Sequence, residues 1–268
     1  MTSLKKLTLY SLNSRSGDYA FLSSLNQLEK LYVEYPDELH PQVLKSLSSL
    51  QVLSLGSLKQ EWIEEAMQSI GTLQHLRVLK LIYHTGDLSP LANCKNLQEF
   101  ECTFSPIESL APLAGLPLKS LVISCCRVKD LTPIGTMTQL EALDIYCNYP
   151  HLWAGLIKHP SLKRINATKD DLIEPRRFLG SERWKNLRWD EDGDLLPDSK
   201  AFIENYYKML DELNHMPPLE VLVTIPYLEL VNTQPEEMPK VELQAFQKAR
   251  PDVAVANYGS WRDAKLTK

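Results

Sequence analysis

The chain has 268 residues and a formal net charge of -5, with 44% hydrophobic and 24% charged residues. This apolar content is enough for a buried core and excludes global disorder, while no apolar run approaches the ~18 residues that a membrane-spanning helix needs. The basic residues form no continuous stripe. We therefore expect a soluble protein with neither a nucleic-acid partner nor a membrane partner.

Leucine is in large excess, at 46 of the 268 residues, and it follows a repeat. The pattern L-x-x-L-x-L occurs eight times between Leu4 and Ala167, with a degenerate ninth copy at Trp184, Leu187 and Trp189. The second apolar residues of the nine copies are Leu7, Leu31, Leu53, Leu79, Phe100, Leu121, Leu143, Ile165 and Leu187. Successive copies lie 21 to 26 residues apart. In each copy the second and third apolar residues are two apart, which predicts a short strand with one buried face.

The segments that connect the predicted strands change along the chain. Residues 36–47 and 58–70 are longer and are predicted to be helical, because residues 61–70 place apolar side chains at near-helical spacing. The later connections, over residues 87–97, 110–116 and 130–137, each carry a proline. One unit of about 22 residues cannot bury its apolar side alone, so the units must stack on one another.

These copies and their proline-bearing turns resemble the leucine-rich-repeat family in its short-period, internalin-like form. The resemblance covers roughly residues 4–189. It implies an α/β fold, a curved solenoid with parallel strands on the concave face and short helices or turns on the convex face. It also implies an Asn or Cys five residues after the second apolar residue, which ties neighbouring turns together. Cys126 and Asn148 match that position. Leu12, Pro36 and Leu58 stand there in the first three units, which we therefore expect to turn differently.

The repeat breaks after residue 189, so we divide the chain into regular repeats over residues 1–189 and an irregular part over residues 190–268. In the irregular part, residues 198–213 predict an amphipathic helix. The further predicted elements are a strand at 219–225, a helix at 241–249 and a last strand at 251–256. We interpret this part as a helical insertion, divergent terminal repeats and a C-terminal cap, since the open end of a stack would expose its core.

The cysteines and the N-terminus indicate the compartment. The five cysteines, an odd number without the spacing of a secreted disulfide framework, are Cys94, Cys102, Cys125, Cys126 and Cys147. Residues 1–10 contain no continuous apolar stretch of the ~7–15 residues that a signal peptide requires. We therefore expect reduced thiols and a cytoplasmic location.

The sequence contains no motif of a catalytic centre: no G-x-S-x-G, no glycine-rich phosphate loop, no H-E-x-x-H and no C-x-x-C. The strongest metal candidate has carboxylates at Asp190, Asp192 and Asp194, but it lacks the glycine and the glutamate that a calcium loop places at its sixth and twelfth positions. We interpret it as an acidic surface loop. An enzyme would need an unrecognised carboxylate site there, so we expect no enzyme activity, no cofactor and no metal.

The strand positions that point away from the core carry aromatic residues among charges of both signs. This mixture is typical of a protein interface, because aromatic side chains supply large contact areas with few rotors. The alternative is that these aromatics pack on neighbouring strands. The predicted partner-binding residues are Tyr10, Tyr32, Glu34, Tyr35, Lys80, Tyr83, Glu99, Glu101, Phe104, Asp144, Tyr146, Arg164 and Arg188.

The sequence thus predicts a non-enzymatic protein-binding module that uses the concave face. A narrower hypothesis is an inhibitor or immunity protein that neutralises a basic toxin or effector. The alternative is an adaptor or substrate-recognition subunit of a larger complex, with residues 190–218 as its docking element. The first repeat begins at Leu4 without a capping element, so its edge either stays exposed or is covered by a partner or by a second copy of the chain. We therefore expect a monomer or a weak homo-oligomer.

Overall fold

The computed structural model describes residues 4–10, 19–34, 36, 39–82, 87–124, 126–145, 152–167, 219–232 and 240–256. Within these ranges the chain forms one sheet of ten strands. All of its strand pairs are parallel, and the strands lie side by side in chain order. The strands are β1 Lys6–Leu9, β2 Lys30–Val33, β3 Val52–Leu55, β4 Val78–Ile82, β5 Glu99–Thr103, β6 Ser120–Ser124, β7 Ala142–Asp144, β8 Arg164–Asn166, β9 Leu230–Asn232 and β10 Ala254–Ala256. The solenoid predicted from the leucine spacing is confirmed.

The strands are in register at the repeated apolar positions. Leu79 pairs with Phe100, and Leu121 pairs with Leu143, so the second apolar residue of each copy stands beside the same residue of the next copy. All four side chains are at most 1% exposed and belong to one continuous core. Because side chains of a strand alternate between its two faces, the residues between them point to the opposite side of the sheet.

Short helical segments connect the strands on the other side of the core. In the described parts of the chain seven of them are 3-10 helices: η1 Tyr19–Ser24, η2 Pro41–Ser46, η3 Gln60–Trp62, η4 Ser89–Asn93, η5 Ala111–Leu113, η6 Thr132–Thr136 and η7 Ala154–Leu156. Proline occupies one of the first two positions of η2, η4, η5 and η6. There its fixed backbone angle suits a helix and its missing N–H leaves no intrahelical bond unmade. The predicted proline-bearing turns are therefore the starts of these helices.

The longest connection among the first eight strands contains the first α-helix. This helix, α1, spans Ile63–Ile70 and directly follows η3, so the helix predicted over residues 58–70 is confirmed. Ile63, Ala66, Met67 and Ile70 are its buried apolar residues. Their i, i+3, i+4 and i+7 spacing fits an amphipathic helix that packs on the core. The other early connection, predicted as helical over residues 36–47, contains η2.

Side chains also bind consecutive units together through backbone carbonyls of the preceding unit. The thiol of Cys126 lies 3.4 Å from the carbonyl oxygen of Cys102, as the family resemblance implied. Two further hydrogen bonds between consecutive units were not predicted. The Asn96 amide donates to the Gln74 carbonyl oxygen at 2.8 Å, and the Ser161 hydroxyl donates to the Leu140 carbonyl oxygen at 2.9 Å. These bonds satisfy carbonyls at the turns, where the sheet ladder does not reach.

The C-terminal part differs from the prediction at two elements, a helix described here and a strand described below. Residues 219–225 were predicted as a strand, but Leu219–Leu222 is a short α-helix, α2. Leu219 and Leu222 are three residues apart, a spacing that fits one turn of a helix as well as the first two positions of the repeat. The predicted terminal helix and strand are confirmed as α3, Lys240–Ala249, and β10.

The strand that pairs with β8 on its C-terminal side was also not predicted. Both edges of β8 are already paired, one with β7 and the other with β9, where Ile165 stands beside Val231. The strand β9, at Leu230–Asn232, was not predicted. The degenerate copy at Trp184, Leu187 and Trp189, the predicted helix at 198–213 and the rest of residues 190–218 lie outside the described residues. No helix in the described ranges is long and apolar enough to cross a membrane.

Candidate functional site

The concave face of the sheet carries the residues that point away from the core. We distinguish two rows of side chains that run across the strands. The central row lies between the two inward residues of each strand and comprises Thr8, Tyr32, Ser54, Lys80, Glu101, Val122, Asp144 and Asn166. The leading row lies two residues earlier along each strand and comprises Lys6, Lys30, Val52, Val78, Glu99, Ser120, Ala142 and Arg164.

A depression of about 770 Å³ lies at the N-terminal end of this face. Its lining includes Tyr10 and Tyr32, and the Lys6 ammonium lies 5.4 Å from the centre of the Tyr32 ring. Tyr10 is 63% exposed. Gly56 also lines the depression, and a Cβ at that position would overlap the carbonyl oxygen of Glu34. Only glycine therefore lets the chain after β3 approach the chain after β2 so closely.

A second, smaller depression of about 390 Å³ lies across β4 to β8. Lys80 and Glu101 of the central row line it and form an ion pair of 2.8 Å between neighbouring strands. Glu99 of the leading row is exposed and has no ion-pair partner within the described ranges. Val78 and Ala142 also contribute to the lining. This depression therefore combines small apolar side chains with charges of both signs.

Asp144 is on the concave face but is almost covered. It is only 6% exposed, and its two carboxylate oxygens accept hydrogen bonds from the Ser124 hydroxyl at 3.2 Å and the Asn166 amide at 3.0 Å. These bonds join three successive strands, β6, β7 and β8. Buried polar groups are stable when paired in this way. The structure thus gives this carboxylate a role in the sheet, and its predicted role in partner binding stays a prediction.

The remaining predicted site residues are placed as follows. Glu34 is exposed just after β2, while Phe104 and Arg164 are half-buried after β5 and on β8. Phe104 has a φ of 54°, in the left-handed region, and its N–H bonds the Ser124 carbonyl at 3.0 Å. Four predicted residues lie outside the described ranges: Tyr35, Tyr83, Tyr146 and Arg188. The structure brings Tyr10 with Tyr32, and Lys80 with Glu99 and Glu101, into two separate depressions.

No family model and no curated protein matches this sequence. Solved structures do match it. An internalin from Listeria monocytogenes superposes with a TM-score of 0.56 at 18% identity over 97% of this chain. A leucine-rich-repeat protein from Leptospira interrogans gives a TM-score of 0.54 at 17% identity over 95% of this chain. This chain has the leucine-rich-repeat fold. It spans 65% and 61% of the lengths of those two proteins.

Four titratable groups of the repeats have shifted pKa values, and in each case the cause is burial in the core or a hydrogen bond within a turn. Burial raises the pKa of the Cys94 thiol to about 11, so the group is a neutral thiol that packs in the core. Burial also lowers the pKa of His159, whose Nε2 lies 3.3 Å from the Ile134 carbonyl oxygen. Hydrogen bonds from Ser89 and from Thr132 lower the pKa values of Asp87 and Asp130 respectively, which cap the turns that lead into η4 and η6. None of these surroundings resembles an activated nucleophile or base.

The described residues contain no group of three or more histidine, cysteine, aspartate or glutamate side chains that could hold a metal ion. The acidic candidate at Asp190, Asp192 and Asp194 lies outside those residues, as does Cys125 of the Cys125-Cys126 pair. Among the described residues, the two depressions of the concave face are the candidate sites that the geometry offers.

Proposed function

We propose that this solenoid is a non-enzymatic protein-binding module that captures a protein partner on its concave face. The observation that carries the proposal is the N-terminal depression, which Tyr32 of β2 and Tyr10, just after β1, both line. Solenoids of stacked repeats use such extended concave surfaces for binding. Tyrosine is enriched at the energetic centres of protein interfaces, because its ring supplies contact area and its hydroxyl stays paired in water.

The rigidity of the sheet supports the same proposal. Each strand is bonded to its neighbours on both sides from β2 to β9, and the two rows of outward side chains take their spacing from that ladder. A surface that is already ordered loses little conformational entropy when a partner binds, so more of the contact energy appears as affinity. The exposed charges Glu34 and Glu99 have no ion-pair partner within the described residues and are available to a partner.

The narrower form of the proposal is that binding neutralises a toxin or effector of basic character. The net charge of -5 and the exposed Glu99 support it, because complementary charge speeds the encounter of two proteins. It is tested by adding the purified solenoid to the captured partner and measuring the partner's own activity, which we expect to fall.

The adaptor hypothesis, with residues 190–218 as docking element, concerns residues outside the described ranges and gains no support from the observed geometry.

The test of the proposed function is capture from the native cell with tagged baits and quantitative mass spectrometry. We expect the unmodified chain to enrich a stoichiometric protein partner, and Tyr10→Ala with Tyr32→Ala to reduce that enrichment at least about tenfold, since hot-spot truncations commonly exceed about 1.4 kcal/mol each. The matched control is Phe21→Ala with Tyr227→Ala, two aromatics that are 50% and 62% exposed outside the two rows. Equal loss in both double variants, or no loss in the first, contradicts the proposal.

A further inference from the structure

The N-terminal depression has an unusual arrangement of charge beside it. Lys6 and Lys30 are direct cross-strand partners in the parallel pair of β1 and β2. Both are exposed, and neither has a carboxylate partner within the described residues. Neighbouring strands lie about 4.8 Å apart, and like charges opposite one another destabilise a sheet. The two lysines therefore form a small positive patch on a chain that is acidic overall.

Three other lysines on these strands or directly before them are paired with carboxylates, whereas Lys6 and Lys30 stand side by side without one among the described residues. Lys5, the residue before β1, is paired with Glu29 at 2.8 Å, and Lys80 of β4 is paired with Glu101 at 2.8 Å. Lys163, just before β8, is paired with Glu141 at 3.2 Å. In each of these cases a carboxylate stands on the adjacent unit. At the Lys6 and Lys30 positions no carboxylate of the described residues supplies that charge, which leaves both ammonium groups available to a ligand.

The surface next to this patch is aromatic and rich in hydroxyl groups. Lys6 lies over the ring of Tyr32, and the depression below is also lined by Tyr10, Ser54 and Ile82. A free inorganic anion would use the lysines but not the apolar lining. A peptide uses both, because an aspartate or glutamate carboxylate can meet the lysines while a neighbouring apolar side chain packs on the tyrosines.

We propose that the N-terminal depression binds an acidic segment of a protein partner, with a carboxylate held between Lys6 and Lys30 and an adjacent apolar side chain packed on Tyr10 and Tyr32. This inference rests on the proposed function in its general form, a protein partner on the concave face, and not on the narrower form in which that partner is basic; it assigns the chemistry of the segment that enters the N-terminal depression. Glu34, at the far end of the same depression, is four residues along the strand from Lys30. That spacing is about 13 Å, longer than the ~8 Å Debye length at physiological salt, so Glu34 does not cancel the patch.

The probe is a fluorescein-labelled octapeptide of alternating glutamate and leucine, measured by anisotropy with the full chain. The same peptide with glutamine in place of glutamate is the ligand control. We expect the glutamate peptide to bind at least tenfold more tightly than the glutamine peptide, with an affinity that falls as salt increases from 0.05 to 0.5 M. Equal binding of the two peptides overturns the proposal.

The protein variants locate the site. Lys6→Gln with Lys30→Gln should weaken binding of the glutamate peptide at least tenfold, whereas Lys45→Gln with Lys95→Gln, two exposed lysines outside the concave face, should change it less than twofold. Loss of the like-charge pair should also raise the thermal midpoint of the first double variant by about 1–3 °C at low salt, which shows that the variant is folded. Unchanged peptide affinity in that variant overturns the proposal.

Two further experiments complete the test. One distinguishes a peptide carboxylate from a free inorganic anion as the ligand, and the other distinguishes failure of this inference from failure of the proposed function. Displacement of the peptide by 10 mM inorganic phosphate at constant ionic strength would mean a simple anion site and would overturn the acidic-segment proposal; binding within twofold of the phosphate-free value supports it. If the glutamate peptide fails to bind while partner capture still depends on Tyr10 and Tyr32, only this inference fails. If the peptide binds but capture does not depend on the tyrosines, the proposed function fails instead.

Discussion

Leu121→Ala is expected to lower the free energy of unfolding by about 2–5 kcal/mol, the range for truncation of a fully buried leucine. Leu121 is 0% exposed and stands between Phe100 and Leu143 in the register of the sheet. A cavity there removes contacts with both neighbouring units at once. Because the stability of a solenoid is the sum of its units and the interfaces between them, the loss weakens the continuity of the whole stack.

The measurement is equilibrium unfolding in urea, followed by circular dichroism and tryptophan fluorescence. Leu152→Ala is the matched control, since it makes the same chemical change at a leucine that is 55% exposed. It should change the free energy of unfolding by less than about 0.5 kcal/mol. Similar values for the two variants would contradict a core that runs through residue 121.

Gly155→Ala is the second large effect, and we expect it to destabilise the chain by about 3 kcal/mol, the upper end of the range for overpacking. Gly155 is the middle residue of η7, which packs on η6 of the preceding unit. An added Cβ would overlap the Leu131 carbonyl oxygen and lie 2.9 Å from the Thr132 carbonyl oxygen and 3.0 Å from the Gly135 nitrogen. All three are backbone atoms, so the two units would have to move apart.

Gly135→Ala is the control for this prediction, because it makes the same change at the facing glycine of η6. A Cβ at Gly135 would have as its nearest neighbour the Gly155 Cα at 3.4 Å, an ordinary van der Waals distance. We expect Gly135→Ala to change the free energy of unfolding by less than about 1 kcal/mol, the range for a glycine replaced by alanine where the added methyl group fits. Thermal and urea unfolding of both variants measure the difference, and a tolerated Gly155→Ala would contradict the close packing of η6 and η7.

Much of the fold was predictable because the signal is local and repeated. The inward residues of each copy, such as Leu79 and Leu121, must be apolar in every unit, so their spacing alone predicts both the strands and their register. The side of the strand on which Tyr32 or Lys80 lies follows from the same alternation. The spacing also places Lys6 beside Lys30, since each precedes the second apolar residue of its copy by one position.

The ninth strand was missed because its copy is weak and distant. Leu228 and Val231 are followed by Thr233 at the third position, where the pattern needs an apolar residue, and Val231 is 66 residues after Ile165. Leu219 and Leu222 match the first two positions equally well, but they lie at the helical spacing of α2. Which of two partial matches becomes a strand depends on pairing with β8, a contact that the sequence alone does not contain.

The solvent exposure and the pairing of individual site residues could not be predicted from the sequence either. The sequence places Asp144 on the outward face, but its exposure of 6% depends on Ser124 and Asn166 of the neighbouring strands. The same holds for Glu101, whose charge is paired with Lys80. Position within a repeat gives the direction of a side chain, whereas its availability to a partner is set by what the adjacent units place next to it.

The most direct test of the central claim, that the concave face is the binding surface, is site-specific photocrosslinking in the native cell. The photoreactive amino acid p-benzoylphenylalanine replaces Tyr32 of the concave face in one variant. In another it replaces Phe21, which is exposed on η1, outside the concave face. We predict a discrete covalent adduct with the captured protein from the variant at position 32 and none from the variant at position 21. An adduct from position 21 alone, or equal adducts from both, would contradict the account.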